Sequence, residues 1–294
     1  MKVQIIPDVH GSTKWKNVIN REVDEFVFMG DYFDSWNNEW PEQGENFKEI
    51  VEFVRKDTAH RHLLIGNHDW AYLSTTPKGA LVSGHQVFCS EHISQLLLDA
   101  KDILKIAVEI DGWVFSHAGF SVEGYQTLSE ASAGAQSIEE INGYFSRSLI
   151  NRKAIYDKAL DWHGYFDGAG DEPCQGPLWI RPNSLLKNLQ FAQQVVGHTE
   201  MTTTADVMLS GTGENTRVLF VDSRQHTPHE VFDTEKPRKA ISMLEFHRQR
   251  KAERAIVLDF NSSIVGDANE RLKQFKKKFG NAAGEILFNE YIRK

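Results

Sequence analysis

The sequence predicts an α/β fold with its functional residues gathered on one rim of a sheet. Two observations carry that expectation. Five short apolar runs, Val3 to Ile6, Glu25 to Met29, His62 to Ile65, Trp113 to Phe115 and Gln194 to Val196, read as strands, and each ends in a polar turn. Between the second and third runs, Phe47, Ile50, Val51 and Val54 recur at helical spacing, so residues 44 to 57 form an amphipathic helix that returns to the sheet. The polar turns then lie at carboxyl ends of strands, where open α/β sheets carry their ligands.

Taken in order, the turns supply oxygen and nitrogen donors. Pro7 cannot donate to a ladder and ends the first strand. Asp8 and His10 follow it, and alternate residues of an extended segment share a face, so both reach one cation. The second strand runs into Gly30-Asp31. A carboxylate has two oxygens, which suits Asp31 to bridging two cations about 4 Å apart. Asp34, three residues on, is a candidate partner for a catalytic histidine. The third strand ends in Gly66-Asn67-His68-Asp69, where Asn67 offers a neutral carbonyl oxygen and His68 stands beside it. Ser116-His117-Ala118-Gly119 and Gly197-His198-Thr199 each deliver one more imidazole. Asp8, His10, Asp31, Asn67, His117 and His198 together form a set suited to hard or borderline divalent metals rather than to thiolate-bound ones. The chemistry this set points to is two-metal hydrolysis of a phosphoester.

The remaining segments are less distinctive. Residues 72 to 102 are irregular around one helical piece, His92 to Leu98, and His85 and His92 read as surface histidines. Ile103 to Ile110 and Trp113 to Phe115 read as the arms of a hairpin turned by Asp111-Gly112. Ser137 to Ile150 is the clearest helix of the stretch from 120 to 192, which also holds the turn cluster Asp167 to Asp171. Near its end Arg181 is a candidate clamp for a phosphoryl group, because a guanidinium matches phosphate oxygens two at a time. Arg217 to Val221, residues 229 to 232 and residues 255 to 260 offer further strands. Leu272, Phe275 and Phe279 line one face of a last helix among Lys273, Lys276, Lys277 and Lys278.

Composition narrows the class. With 40% hydrophobic and 25% charged residues the 294-residue chain is that of an ordinary soluble protein able to bury a large core. No window resembles a membrane span or a signal peptide, which predicts a cytoplasmic protein with no membrane partner. Cys89 and Cys174 fit that compartment as small buried thiols. Residues 233–294 carry 14 Lys and Arg against 9 Asp and Glu, a net +5, which leaves −13 on residues 1–232. That divides the chain into an acidic body at 1–232 and a basic C-terminal extension at 233–294 packed on or continuing the same domain. An acidic body repels a phosphate backbone, so long nucleic acid is disfavoured as a partner.

Together the motifs resemble the calcineurin-like metallophosphoesterases, most closely the phosphoprotein phosphatase branch with its bacterial and phage relatives, over about residues 1 to 222. Pro7-Asp8-Val9-His10-Gly11 corresponds to the family's Gly-Asp-x-His-Gly, and Gly30-Asp31-Tyr32-Phe33-Asp34, Gly66-Asn67-His68 and the two later histidine motifs match directly. The resemblance implies the αββα fold of that family, a two-sheet β-sandwich flanked by helices on both sides. It implies that Asp8, His10 and Asp31 bind a first metal, that Asp31, Asn67, His117 and His198 bind a second, and that His68, oriented by Asp34, is the general acid. Asn67 and Arg181 are the expected substrate contacts. The cofactor is then a pair of divalent ions, manganese first, with iron, zinc or nickel accepted by the same ligands. The expected reaction is attack by metal-bound hydroxide on a phosphomonoester, of the serine/threonine protein phosphatase type. Such phosphatases read Gly-Asp-x-Val-Asp-Arg-Gly, and here Ser35 and Trp36 occupy the Arg-Gly positions. Arg147, Arg152 and Arg181 are the substitutes, while Trp36, Trp40 and Trp70 could stack on a nucleobase. A nucleotide phosphohydrolase acting on dinucleoside polyphosphates or cyclic phosphodiesters is therefore the alternative, and a metal-bearing binding module without turnover is the alternative of another class.

Overall fold

The computed structural model describes residues 1–20, 22–35, 37–74, 82–150, 171–201, 204–209, 216–222, 231–236 and 239–251, with Leu160, Glu270, Lys273, Gln274 and Lys277. In chain order its elements are β1 (Lys2–Ile6), β2 (Glu25–Phe28), α1 (Trp40–Arg55), β3 (Arg61–Leu64), α2 (Asn67–Ala71), α3 (Ser90–Asp99), β4 (Leu104–Lys105), β5 (Ala107–Ile110), β6 (Trp113–Ser116), α4 (Val122–Ala131) and α5 (Ile138–Ile150). There follow α6 (Pro182–Leu185), β7 (Gln193–Val196), β8 (Ala205–Met208), β9 (Arg217–Phe220), β10 (Val231–Asp233) and β11 (Ile241–Ser242).

The strands form two mixed sheets, one ordered β10-β1-β2-β3-β4 and the other β11-β8-β9-β7-β6-β5. Alternation along each strand sorts its side chains between two layers. Val3 and Ile5 of β1, Val27 of β2 and Leu64 of β3 turn inward to meet Phe115, Val195 and Leu219 of the facing sheet. Their neighbours Ile6, Phe28 and Leu63 turn outward onto Phe47, Ile50 and Val54 of α1 and Ile93 and Leu97 of α3. On the far side, Val196, Val218 and Phe220 pack against Leu185, Leu186 and Phe246. The result is the expected sandwich of two sheets with helices on both faces. At the end of the first sheet away from the carboxyl rim, the buried Glu25 and His62 pair at 2.9 Å, and His62 Nδ1 lies 3.3 Å from Lys105 Nζ.

Several elements differ from the sequence expectation. Helix α1 starts at Trp40 rather than 44, because Pro41 suits a first helical turn where no N–H is needed. The run from 103 to 110 is not one strand. Leu104 and Lys105 pair in parallel with β3, whereas Ala107 to Ile110 pair with β6 in the other sheet. Between them Asn142 Oδ1 accepts the N–H groups of Ile106 and Ala107 at 2.9 and 3.4 Å, and its amide donates to the Ala107 carbonyl at 2.8 Å. That one side chain on α5 satisfies the backbone where it leaves one ladder for the other. Within the hairpin, Asp111 and Gly112 both take positive φ, +51° and +78°, as a tight two-residue turn requires. Cys89 and Cys174 are free thiols of intermediate exposure rather than buried ones. Among the described residues no helix is long and apolar enough to cross a membrane. The expected strand at 255 to 260 and the apolar face of the last helix, Leu272, Phe275 and Phe279, lie outside the described residues, as do Trp36, Arg152 and residues 167–170.

Ile50, with no exposed surface, joins α1 to the first sheet. Ile50→Ala removes that contact and is expected to lower stability by about 3 kcal/mol in urea denaturation. A loss below about 1 kcal/mol would show that the helix layer is not packed there.

Candidate active site

Parallel pairing brings the polar turns together. Strands β1, β2 and β3 are parallel neighbours, so the turns at Asp8, Asp31 and Asn67 leave the same end of one sheet. Strands β6 and β7 are parallel neighbours in the other sheet and deliver His117 and His198. The two rims are tied directly: His117 Nδ1 lies 2.8 Å from the Met29 carbonyl, and the His198 N–H donates to Asp8 Oδ1 at 3.1 Å.

The turns themselves are zipped by backbone hydrogen bonds. His10 and Gly11 donate to the carbonyls of Asp31 and Tyr32 at 2.6 and 2.9 Å. The wholly buried Asp69 carboxylate accepts the N–H groups of Asp31, Tyr32 and Gly66 at 2.7, 2.8 and 2.9 Å, fastening the turn after β2 to the turn after β3. These turns touch so closely that only glycine fits at two places. A Cβ on Gly30 would stand 2.4 Å from the Gly66 nitrogen, and one on Gly66 would stand 2.0 Å from Asp31 Oδ1. His10, Asp31, Asp34 and His198 all have left-handed backbone, with φ from +42° to +64°. Each such non-glycine residue costs about 1 to 3 kcal/mol and persists only where its surroundings hold it.

The six expected metal-ligand side chains converge. Asp31 Oδ2 lies 3.7 Å from His10 Nε2 and 3.5 Å from His117 Nε2. Asn67 Oδ1 lies 2.9 Å from His117 Nε2 and 3.0 Å from His198 Nδ1. In each histidine the other ring nitrogen is taken by a backbone carbonyl: Phe33 for His10 at 2.8 Å, Met29 for His117 at 2.8 Å and Trp179 for His198 at 3.1 Å. A ring nitrogen facing a carbonyl carries the proton, which leaves the inward nitrogen as a lone pair. Lone pairs and carboxylate or amide oxygens thus face one another across the centre, a donor set that divalent cations fit. Two groups within ligand reach, Asp8, Asp31 and His117 on one side and His10, Asp31 and His68 on the other, share Asp31. His10 therefore groups with His68 rather than with Asp8.

Charge points the same way. Burial first, and neighbouring carboxylates next, hold Asp8 and Asp31 well above the usual carboxylate range. Burial pushes Asp69 up to about 7 against the three N–H donors that hold it down. The same burial brings His117 down to about 3 and takes His198 well below its ordinary value, with the Arg181 guanidinium adding to both. Neutral imidazoles beside crowded carboxyls are a site short of positive charge.

His68 stands at the edge of this cluster, its ring 5.0 Å from that of His10 and at right angles to it. Its Nδ1 lies 2.7 Å from Asp34 Oδ2, and Tyr72 donates its hydroxyl to the other Asp34 oxygen. Burial lifts Asp34 to about 6, with the Tyr72 bond opposing it. Arg181 sits just ahead of α6, with Nη1 3.4 Å from both the His198 carbonyl and Thr199 Oγ1. Arg147 is on the exposed side of α5. Ser35 is tied into its own loop: its N–H donates to Gln43 Oε1 at 3.1 Å and its hydroxyl accepts the N–H groups of Asn37 and Asn38. Trp70 is core, 1% exposed and packed on Phe145, so it offers no face to a nucleobase. Trp40 is partly buried between Phe33 and His92. Sequence reasoning gave no role to Asp69, Tyr72 or Asp222, the last a buried carboxylate close enough to Asp8 to raise it. Asp69 and Asp222 carried a signal of position alone, since both follow an apolar strand.

A profile of the calcineurin-like phosphoesterases matches residues 1–201. No protein of curated function matches the sequence. Among solved structures, a cold-active protein-tyrosine phosphatase of the psychrophile Shewanella is 19% identical, with a TM-score of 0.46 over 75% of this chain and 70% of that one. A metallophosphoesterase from Sphaerobacter thermophilus is 15% identical, with a TM-score of 0.36 over 75% of each chain. A serine/threonine phosphatase from Saccharomyces cerevisiae is 12% identical, with a TM-score of 0.43 over 76% of this chain and 67% of that one. The profile spans every turn from Asp8 to His198, and the chain belongs to the calcineurin-like phosphoesterase family as a metal-dependent phosphoesterase.

Proposed function

We propose that the protein hydrolyses phosphomonoesters at a two-cation centre, with phosphoserine or phosphothreonine in protein as substrate. The observation that supports this best is the sharing of Asp31 between two groups of donors, with the His68 and Asp34 pair beside them. Asp8, His10, Asp31, Asn67, His117 and His198 would hold the two ions, manganese first, with iron, zinc or nickel accepted by the same donors. Bound there, divalent cations supply a water-derived nucleophile at neutral pH and offset the charge growing on phosphoryl oxygens.

The chain's own residues do the rest. The carbonyl partners of His10, His117 and His198 keep each ring turned inward. Asp31 is held on one oxygen by the His68 N–H at 2.9 Å and presents the other to His10 and His117. His68 gives a proton to the departing oxygen, and Asp34 fixes the ring by taking its Nδ1–H. Arg181 grips phosphoryl oxygens from the His198 side, and the Asn67 amide nitrogen donates to them. Residues 1–232 serve as the catalytic domain, in the cytoplasm, with 233–294 extending it. A second reading, hydrolysis of dinucleoside polyphosphates or cyclic phosphodiesters, draws support from Ser35, which is committed to its loop where the phosphatase branch has an arginine.

A panel of phosphopeptides, nucleotides, dinucleoside polyphosphates and cyclic nucleotides, assayed with each metal, separates the two; inertness towards every phosphoester would leave only a binding module. His68→Asn is expected to retain both ions and lose about 10²- to 10⁴-fold in turnover of an alkyl phosphate, a poor leaving group. Unchanged turnover would remove His68 from the mechanism. Asp31→Asn is expected to hold fewer than two ions per chain by elemental analysis, and a full complement would refute the shared ligand. Stability should also depend on pH. Asp8, Asp31 and Asp69 titrate higher folded than unfolded, so without cations their contribution to stability is lost as pH rises, through about 7 for Asp69; His117 and His198, depressed on folding, oppose that loss below about 6.5 and not above it. Cations bind the ionised cluster, so manganese should raise the melting temperature more at about pH 8 than at about pH 5 relative to chelator. Equal shifts at both would contradict this.

A further inference from the structure

Tyr72 is buried one helical turn beyond His68, so the two side chains share a face of α2 and its C-cap. Between them lies Asp34, with one oxygen taken by His68 Nδ1 at 2.7 Å and the other by the Tyr72 hydroxyl. The Tyr72 oxygen in turn accepts the Gln86 N–H at 2.8 Å, which leaves its own proton directed at Asp34. Its ring is clamped as well. His85 stacks on one face at 4.2 Å and 18°, and Phe33 meets it nearly edge-on at 6.1 Å.

A carboxylate held at one oxygen can still turn about its Cβ–Cγ bond and carry its partner with it. Held at both, its plane is set, and so is the direction in which the partner's ring points. Proton donors need that control, since catalytic groups function within about 0.5 Å and 10 to 20° of the productive geometry. We propose that Tyr72 is a positioning residue for the reaction: through Asp34 it fixes the His68 imidazole in the orientation from which it protonates the leaving oxygen. This rests on His68 being the proton donor, and the test keeps the two claims apart.

The experiment compares an alkyl phosphate, whose leaving oxygen needs a proton, with p-nitrophenyl phosphate, whose phenolate leaves without one, in the manganese-loaded protein. Tyr72→Phe removes the hydroxyl alone. It should lower kcat on the alkyl phosphate about 10-fold, with KM within about twofold and a smaller loss on p-nitrophenyl phosphate. Both ions should remain by elemental analysis. In the His68→Asn background the same change should cost nothing more, because residues acting through one group are not additive. Equal losses on both substrates, a loss carried by KM, or losses that multiply in the double variant would each overturn the proposal. If His68→Asn itself ignores the leaving group, the proton-donor assignment fails and the inference falls with it. If His68→Asn discriminates and Tyr72→Phe does not, the inference alone fails. His85→Ala, which unpacks the ring and spares the hydroxyl, supplies a second variant should Tyr72→Phe be too unstable. It should give a smaller loss confined to the alkyl phosphate, and a uniform loss would count against the proposal.

Discussion

The Asp69 carboxylate is the constraint on which the rest of the centre depends. Three backbone N–H groups from two turns close on it, in a place where water has no access. Each such bond to a charged acceptor is worth about 1.5 to 3 kcal/mol, and leaving any of those donors unmet would cost a similar amount. Because Asp69 itself sits in the first turn of α2, the same contact sets where that helix starts. The positions of Asp31, Asn67 and His68 are thus consequences of one side chain outside the six expected ligands.

What the turns present is set by the sheets behind them. Parallel strands point their carboxyl ends the same way, so three turns of one sheet face two of the other across the upper edge of the core. The apolar contact of Val27 and Met29 with Phe115 and Val195 fixes the separation of those rims. Asn142 keeps the chain satisfied where it passes from one sheet to its partner. At that edge burial acts on both kinds of titrating group, keeping imidazoles neutral and making carboxylates reluctant to ionise. The fold therefore holds a charge deficit in place rather than relieving it within the protein.

Much of the centre was legible in the sequence, because each of the six expected ligands lies in a turn that closes an apolar run; the alternation expected of Asp8 and His10 was not, since His10 has left-handed rather than extended backbone. Asp69 and Tyr72 were not, for a physical reason. Their partners, Asp31 with Tyr32 and Asp34, lie far back along the chain, and nothing local distinguishes an acid that accepts two distant N–H groups besides that of Gly66 from an ordinary first-turn acid. The division of residues 103 to 110 between two sheets was hidden likewise, since the run holds no Gly or Pro to mark the break and the residue that permits it stands on α5. Trp70 lay near the rim in sequence yet is core, because the turn of α2 rotates it away from the cluster.

The left-handed backbone at His10, Asp31 and His198 has a bearing on how this protein could be engineered. Glycine adopts that conformation without penalty, so a campaign ranking substitutions by folding free energy alone would favour glycine at these three places. It would thereby select a hardier scaffold with an emptied centre. Residues whose presence is unfavourable to the fold are, in such a search, the ones to hold constant.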